Sequence, residues 1–289
     1  METNLKNKNI LKRAYKILSD IFGYSEFREG QKDIIENIIR NKNSLVVMPT
    51  GAGKSLCYQI PAMVSHKKTV VISPLIALID DQVSSLNLLG INVSKLHSNL
   101  SKEESVIAWN DFINGKSKII YISPERLMTD YMTENLKSLD IGLFIIDEIH
   151  CVSKWGQSFR PDYEKLTKLK ILFPNSTIAG FTATADKTTR IDILDKIFSN
   201  KATLFVKGFD RPNLSLSVTE KSNWKSQLTD FIESRRDLSG VIYCLSRKKT
   251  EEVSGFLNKK GFNTSPYHAG LDGETRKKIQ NTFMTETSH

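Results

Sequence analysis

The chain carries a glycine-rich turn that ends in Gly-Lys-Ser, directly after a short apolar run. The turn is Thr50-Gly51-Ala52-Gly53-Lys54-Ser55, and the run before it is Leu45-Val46-Val47-Met48. Without Cβ atoms, Gly51 and Gly53 allow backbone N–H groups to converge on phosphate oxygens, and a helix beginning near Lys54 directs its positive end at the same anion. We predict a triphosphate cradle, in which Lys54 reaches the β- and γ-phosphates and Ser55 holds Mg²⁺.

The spacing of this turn departs from the full P-loop pattern, in which another glycine stands five residues before Gly53. Met48 occupies that position here. The alternative interpretation is a strand–turn–helix connection that contains Gly-Lys-Ser by coincidence. We favour the phosphate-binding interpretation because an apolar strand precedes the turn and a helical segment follows it.

A second group of chemically active residues follows another apolar strand, in Ile145-Ile146-Asp147-Glu148-Ile149-His150. The two acids emerge at the carboxyl end of the strand, where open α/β sheets bind ligands. We expect Asp147 to bind the Mg²⁺ that Ser55 and the nucleotide share, and Glu148 to orient or deprotonate the attacking water. An ordinary pair of loop acids is the alternative. The predicted catalytic residues are Lys54, Asp147 and Glu148.

Short β-branched runs alternate with amphipathic segments up to about residue 200. Two helical patterns precede the glycine-rich turn, one at Ile10–Ile21 and one after Gly30. The strands predicted after the turn are Thr69–Ser73, Val93–Leu96, Ile119–Ser123, Leu143–Asp147 and Thr177–Phe181. This alternation predicts an α/β fold, a doubly wound parallel sheet covered by helices on both faces.

The pattern loosens near residues 206–213, where glycine, aspartate and proline predict a linker. A second α/β series follows, with helices at Lys248–Lys260 and Glu274–Met284 and strands at Val241–Cys244 and Thr264–Tyr267. The second part is small for a domain. We therefore predict a complete lobe over residues 1–207 and a partial second lobe over residues 208–289.

The 289 residues include 41 Lys and Arg against 32 Asp and Glu, a formal charge of +9. This balance suits a polyanion such as nucleic acid, and a lysine-rich proteome is an equal alternative. The cysteines lie far apart without a paired motif, so we expect neither a disulfide framework nor a zinc site. The sequence shows no signal peptide and no membrane-spanning run, and we expect a cytoplasmic protein, associated with the nucleoid if bacterial.

Taken in order, the motifs resemble those of the RecQ DNA helicases of superfamily 2, and Asp147-Glu148-Ile149-His150 is similar to their DEAH box. The resemblance implies RecA-like lobes, ATP and Mg²⁺ as cofactors, and single-stranded or tailed duplex DNA as the partner. The segment Phe22–Gln31 resembles the adenine-reading motif of the family. It implies that Tyr24 stacks on the base, Gln31 bonds its edge and Arg28 supports the nucleotide. An ordinary turn between two helices is the alternative.

Two Ser-Pro steps resemble motifs Ia and Ib of the family, which hold one DNA strand by its phosphates. They imply phosphate contacts by Ser73 and Ser123. Each serine stands at a strand end before a predicted helix, and a helix N-terminus is a natural phosphate site. A plain helix start at Ser-Pro is an equal alternative.

Residues 150–163 resemble the aromatic-rich loop with which RecQ enzymes sense single-stranded DNA. Aromatic faces can stack on bases and cations can pair with phosphates. Gln157 and Ser158 depart from the His-Asp more usual in the family at this point. Packing anchors in a loop are the alternative. The DNA-binding residues implied here are Lys154, Trp155, Phe159 and Arg160.

Together the resemblances imply an ATP-dependent 3′-to-5′ DNA helicase, a class with roles in DNA repair and recombination. Motifs V and VI have no counterpart in this sequence, and motif VI would carry the arginine that reaches the γ-phosphate. We therefore expect an incomplete core, which binds ATP, hydrolyses it slowly and does not unwind DNA alone. The alternative is an ATP- and single-strand-binding module without efficient turnover. A related RNA helicase fits the adenine segment and the aromatic loop less well.

Overall fold

The computed structural model describes residues 2–155, 158–208 and 214–285, with side chains from residue 9 onward. The chain divides into two units, Met1–Arg211 and Pro212–His289. Most of the predicted linker, residues 209–213, lies outside the described residues, as do Gly156 and Gln157 of the aromatic-rich loop. Across the described part of the chain, no helix is long and apolar enough to cross a bilayer.

The first unit is built on a seven-stranded sheet in which every pairing is parallel. The strands are β1 (Ser44–Val47), β2 (Lys68–Ile72), β3 (Val93–Leu96), β4 (Ile119–Ile122), β5 (Ile141–Ile146), β6 (Thr177–Thr182) and β7 (Thr203–Val206). Their order in the sheet is β3-β4-β2-β5-β6-β1-β7. The five strands predicted after the turn are confirmed, with ends shifted by at most two residues.

Ten α-helices lie between or before these strands in the described residues up to 208. The helix that follows β3 shows how local sequence sets its start, because Ser101 and Glu104 form a reciprocal capping box. The helices are α1 (Glu2–Asp20), α2 (Gln31–Ile39), α3 (Lys54–Val64), α4 (Ile76–Leu88), α5 (Lys102–Ile113), α6 (Pro124–Leu127), α7 (Asp130–Lys137), α8 (Pro161–Glu164), α9 (Leu169–Leu172) and α10 (Lys187–Phe198).

Helices cover both faces of the sheet, so successive strand residues enter two separate apolar layers. On one face Val70 and Ile72 pack with residues of α5, α7 and α10. On the other face Val71 packs with residues of α1, α2, α3 and α4. The strands therefore read as continuous apolar runs, as buried parallel strands do. The predicted α/β class and the doubly wound parallel sheet are confirmed.

One edge strand was not predicted. Strand β7 pairs with β1 over Thr203–Val206 and lies at the edge of the sheet. Three of its four residues are exposed, with Leu204 and Val206 at 42% each. A strand of four residues with little burial has no clear apolar pattern in the sequence, so its pairing with β1 determines that it forms a strand.

The described residues 214–285 of the second unit contain three helices, α11 (Trp224–Glu233), α12 (Arg247–Lys259) and α13 (Gly273–Thr285). The two helices predicted there are confirmed within a residue. The strands predicted at Val241–Cys244 and Thr264–Tyr267 are wrong, since no strand forms among the described residues 214–285. A strand needs hydrogen-bonded neighbours. The apolar side chains of the first segment remain exposed, with Tyr243 at 95%.

Candidate nucleotide and DNA site

The glycine-rich turn joins β1 to α3, and residues 48–53 form its backbone. Gly51 and Gly53 have φ angles of 81° and 80°, a region that favours glycine. A Cβ atom at Gly53 would collide with the side-chain amide of Gln31. Both glycines are therefore required by the shape of the turn, which leaves the start of α3 open toward an anion.

Lys54 lies across this turn, with its Nζ donating to the carbonyl of Met48 at 3.1 Å. Burial lowers the pKa of Lys54, and the nearby charges of Glu148 and Asp147 act in the opposite direction. Lys54 thus stands within electrostatic reach of both acids, although more than 90 residues of sequence separate them. The fold brings together the three residues that we predicted to be catalytic.

Asp147 directly follows β5, and its N–H donates to the carbonyl of Ile72 at 2.8 Å, which extends the sheet by one step. Its Oδ1 accepts the N–H of Glu148 at 3.0 Å. Burial and the charge of Glu148 raise the pKa of Asp147 to about 6. Protein groups compensate the negative charge of this buried carboxylate poorly, so a bound cation would favour its charged form.

Glu148 has a positive φ of 49°, which turns its side chain away from the strand. Its Oε2 lies 3.2 Å from Nδ1 of His150, and the same ring nitrogen is 2.8 Å from Oγ1 of Thr182. The hydrogen bond with His150 lowers the pKa of Glu148. Contacts of His150 with Cys151 and with Glu148 raise the pKa of His150 to about 9. Glu148 is therefore an anion at neutral pH, as a water-orienting base must be.

His150 and Tyr163 are two members of the site to which sequence reasoning gave no role. Tyr163 is fully buried and donates its hydroxyl to the carbonyl of Asp147 at 2.9 Å. His150 lies in the 3₁₀ turn Ile149–Val152, directly after the acids. The signal for His150 was its position two residues beyond Glu148. No spacing rule points to Tyr163, which reaches Asp147 only through the packing of α8.

The ion pair of His150 gives a testable pH dependence of stability. The pKa of His150 in the folded protein, about 9, lies above its ordinary value of 6.5, so its stabilisation is complete below the lower value and is lost as pH rises through the higher one. We expect His150→Gln to remove on the order of 1–2 kcal/mol of this pH-dependent stability. Urea unfolding at both ends of the window measures it, with exposed His66→Gln as the control. Identical pH dependence in wild type and His150→Gln would contradict the pairing.

The segment Phe22–Gln31 contacts the glycine-rich turn through Arg28 and Gln31. Gln31 is buried, its Oε1 accepts the N–H of Arg28 at 2.8 Å, and its Nε2 donates to the carbonyls of Ala52 and Gly53 at 3.2 Å each. Arg28 donates from Nη1 to the carbonyl of Gly51 at 2.8 Å. Tyr24 is 49% exposed, which leaves ring surface for stacking. Gln31 thus braces the turn, and its buried amide is already engaged by Arg28, Ala52 and Gly53.

The two serines of the Ser-Pro steps occupy equivalent places at the ends of neighbouring strands. The N–H of Ser73 donates to Ile122 at 3.3 Å, and the N–H of Ser123 donates to Leu96 at 3.1 Å. Both hydroxyls are buried without a hydrogen-bond partner. A buried hydroxyl without a partner costs free energy, which a phosphate oxygen could offset. Both side chains lie beneath the surface, so a phosphate contact requires local opening at these steps.

The aromatic-rich loop leaves the same edge of the sheet as the acids. Trp155 is 73% exposed, whereas Phe159 is half-buried under Nζ of Lys154, 5.6 Å from the ring centroid. Lys154 also pairs with Glu164 at 2.8 Å. Arg160 donates from Nη1 to the carbonyl of Pro74 at 2.6 Å. The loop is thus tied to the first Ser-Pro step, and Trp155 is its most accessible aromatic face.

No group of three or more His, Cys, Asp or Glu side chains that could hold a metal occurs among the described residues. Mg²⁺ binds proteins through one or two hard oxygen ligands together with substrate phosphates and water. The hydroxyl of Ser55 and the carboxylate of Asp147 are such ligands, and the raised pKa of Asp147 fits a group that meets a cation. The donor set therefore fits Mg²⁺ carried with a nucleotide.

Comparison with known proteins agrees with this arrangement. The family model for DEAD/DEAH box helicases matches residues 28–191. The chain is 40% identical over 273 residues to the ATP-dependent DNA helicase RecQ of Haemophilus influenzae, covering 94% of this chain and 44% of that protein. It is 36% identical to RecQ of Bacillus subtilis, covering 96% of this chain and 47% of that protein. The chain thus spans less than half the length of these relatives.

Solved structures share the fold at low sequence identity. The DUF1998 helicase MrfA bound to DNA matches with a TM-score of 0.71 at 18% identity, covering 94% of this chain and 42% of that one. A hypothetical ATP-dependent RNA helicase from Sulfolobus tokodaii matches with a TM-score of 0.53 at 17% identity, covering 97% of this chain and 79% of that one. With the family match and the relatives above, the chain belongs to the DEAD/DEAH box helicase family, and within it to the RecQ helicases.

Proposed function

We propose that this chain carries the ATP- and DNA-binding core of an ATP-dependent 3′-to-5′ DNA helicase, which couples ATP hydrolysis to movement along one strand. The observation that supports this most is the convergence of Lys54, Asp147 and Glu148 where β1 and β5 end. The domain division that accompanies the proposal is an ATP-binding lobe over residues 1–207 and a partial second lobe over residues 208–289.

In this proposal each residue of the nucleotide site has one task. Lys54 exchanges the Met48 carbonyl for phosphate oxygens, and the N–H groups of the turn bind the same anion. Ser55 and Asp147 would hold Mg²⁺, which supplies charge neutralisation at the phosphates. Glu148, kept anionic by His150, orients the attacking water and accepts its proton. Tyr24, Arg28 and Gln31 form the side of the site assigned to adenine.

The partner in this proposal is single-stranded or tailed duplex DNA, bound near the aromatic-rich loop. Trp155 offers an exposed ring for base stacking, and the formal charge of +9 favours a polyanion. Ser73 and Ser123 lie on the adjacent strand ends. An enzyme with this substrate would work beside the chromosome, so we propose a cytoplasmic location, at the nucleoid in a bacterium.

We expect Trp155→Ala to weaken binding of single-stranded DNA by about 1–3 kcal/mol, the value of one base–aromatic stack. Adding Phe159→Ala should weaken it further. Fluorescence anisotropy of a labelled oligonucleotide measures the effect, and affinity should fall steeply with added salt. Tyr131→Ala is the matched control, since Tyr131 is also exposed, at 68%, and lies on α7. If the double variant binds as well as wild type, both rings serve packing and the DNA assignment of the loop is wrong.

A second candidate is an ATP- and single-strand-binding module without efficient turnover. It is favoured by the second unit, whose described residues 214–285 form no strand, whereas a RecA-like lobe is built around a sheet. Turnover would be slow without an arginine supplied across the nucleotide cleft, because such an arginine raises the hydrolysis rate by a factor of about 10³–10⁵. Phosphate release with and without single-stranded DNA separates the candidates. Strong stimulation by DNA supports the helicase, and tight binding of both ligands without stimulation supports the module.

A further inference from the structure

A lysine at the end of the edge strand β7 lies beside the glycine-rich turn and has no role in the mechanism proposed above. Lys207 directly follows β7, and its N–H donates to the carbonyl of Val47 at 2.9 Å. Val47 ends β1, and the turn begins at the next residue. Because open parallel sheets bind ligands at the carboxyl ends of their strands, Lys207 stands on the same edge of the sheet as Lys54 and Asp147.

The side chain of Lys207 crosses the backbone of Gly30, the residue before α2. A Cβ atom at Gly30 would collide with Cε of Lys207 and would lie 2.6 Å from its Nζ. The φ angle of Gly30 is 77°, a region that favours glycine, so the backbone and the lysine both exclude a side chain here. The stem of Lys207 thus fills the space over Gly30 and brings its ammonium to the segment Phe22–Gln31.

The half-buried ammonium of Lys207 has no hydrogen-bond acceptor and no ion-pair partner among residues 2–155, 158–208 and 214–285. The amide of Gln31, the residue after Gly30, is by contrast engaged. Its Nε2 donates to the carbonyls of Ala52 and Gly53, and its Oε1 accepts a backbone N–H. A nucleoside placed against this segment therefore finds an unused donor in Lys207 and not in Gln31.

We propose that Lys207 is a further nucleotide-binding residue, whose ammonium donates to an acceptor atom of the nucleoside part of ATP. Its place over Gly30, in the segment assigned to adenine, favours the nucleoside over the triphosphate, which is assigned to Lys54. Ring nitrogens and ribose hydroxyls are acceptors, and a bond from an ammonium to one of them is charge-assisted. This inference rests on the proposed function, because it takes ATP as the ligand of the glycine-rich turn.

The test compares ligands that contain the nucleoside with one that lacks it. The Kd values for ATP, ADP and inorganic tripolyphosphate, each with Mg²⁺, are measured by displacement of a fluorescent ATP analogue. Lys207→Met keeps an unbranched stem over Gly30 and removes the charged donor. We expect it to raise the Kd for ATP and for ADP by about 5–20-fold, and to leave the Kd for tripolyphosphate within about twofold of wild type.

Lys201→Met is the matched control, since Lys201 is an exposed lysine two residues before the amino end of the same strand. It should bind all three ligands like wild type. Lys207→Arg retains a cationic donor and should lose less affinity for ATP than Lys207→Met does. Circular dichroism verifies that each variant is folded.

The outcomes separate this assignment from the proposed function. A wild-type Kd for ATP in folded Lys207→Met would overturn the role of Lys207. An equal loss of affinity for tripolyphosphate would overturn it too, because the lysine would then act on phosphate. Either result, together with lost ATP binding in Lys54→Ala, leaves the proposed function standing. A wild-type protein that does not bind ATP overturns both.

Discussion

Replacing Lys54 with alanine is expected to raise the Kd for ATP by at least about 100-fold while the protein stays folded. Charge-assisted hydrogen bonds contribute about 1.5–3 kcal/mol each, and in the proposed site Lys54 makes two of them with the β- and γ-phosphates. Within the described residues, the side chain of Lys54 donates its one hydrogen bond to the Met48 carbonyl, at the edge of the turn. Its loss therefore leaves the apolar layers intact.

Isothermal titration or a fluorescent ATP analogue measures the affinity, and circular dichroism verifies the fold. Lys32→Ala is the matched control, since Lys32 is half-exposed on α2 and pairs with Glu36 of the same helix, at 4.0 Å. The control should bind ATP like wild type. Wild-type affinity in a folded Lys54→Ala protein would show that the glycine-rich turn does not hold the triphosphate.

Glu148→Gln is expected to separate binding from hydrolysis. Glutamine keeps the shape of the side chain and can still contact His150, but it cannot accept a proton from water. We expect ATP affinity within a few-fold of wild type and hydrolysis reduced by about 10²–10⁴-fold, the usual contribution of a general base. Phosphate release under single-turnover conditions measures the step, with Glu134→Gln on α7 as the control. Equal rates in wild type and Glu148→Gln would remove Glu148 from the mechanism.

The strands of the first unit were predictable because the strands of a buried parallel sheet consist of continuous runs of apolar residues. Ile119–Ile122 and Thr177–Thr182 are buried throughout, so their patterns need no tertiary information. Strand β7 was not predicted because much of it is exposed to solvent and its strand conformation depends on the pairing with β1. The segment at residues 241–244 shows the converse, since an apolar run without hydrogen-bonded neighbours does not become a strand.

The positions of the residues in the proposed nucleotide site were predictable for a related reason. Glycines at positive φ, a lysine at a helix start and acids at a strand end carry their chemistry in local sequence. Contacts between residues far apart in the chain leave no such signal in the local sequence. Packing between distant segments brings Gln31 to the carbonyls of Ala52 and Gly53. It also brings Tyr163 to the carbonyl of Asp147. The burial of Ser73 and Ser123 likewise follows from the neighbouring strands.

The proposed function places a nucleotide on the glycine-rich turn and a DNA strand on the aromatic-rich loop of the same unit. Hydrogen–deuterium exchange with peptide resolution tests both placements in one protein. We expect Mg²⁺ with an ATP analogue to slow exchange at residues 50–55 and 147–150, because the N–H groups of the turn would donate to phosphates. We expect a single-stranded oligonucleotide to slow exchange at residues 153–160. Unchanged exchange at residues 50–55 under saturating nucleotide would show that the triphosphate does not bind this turn.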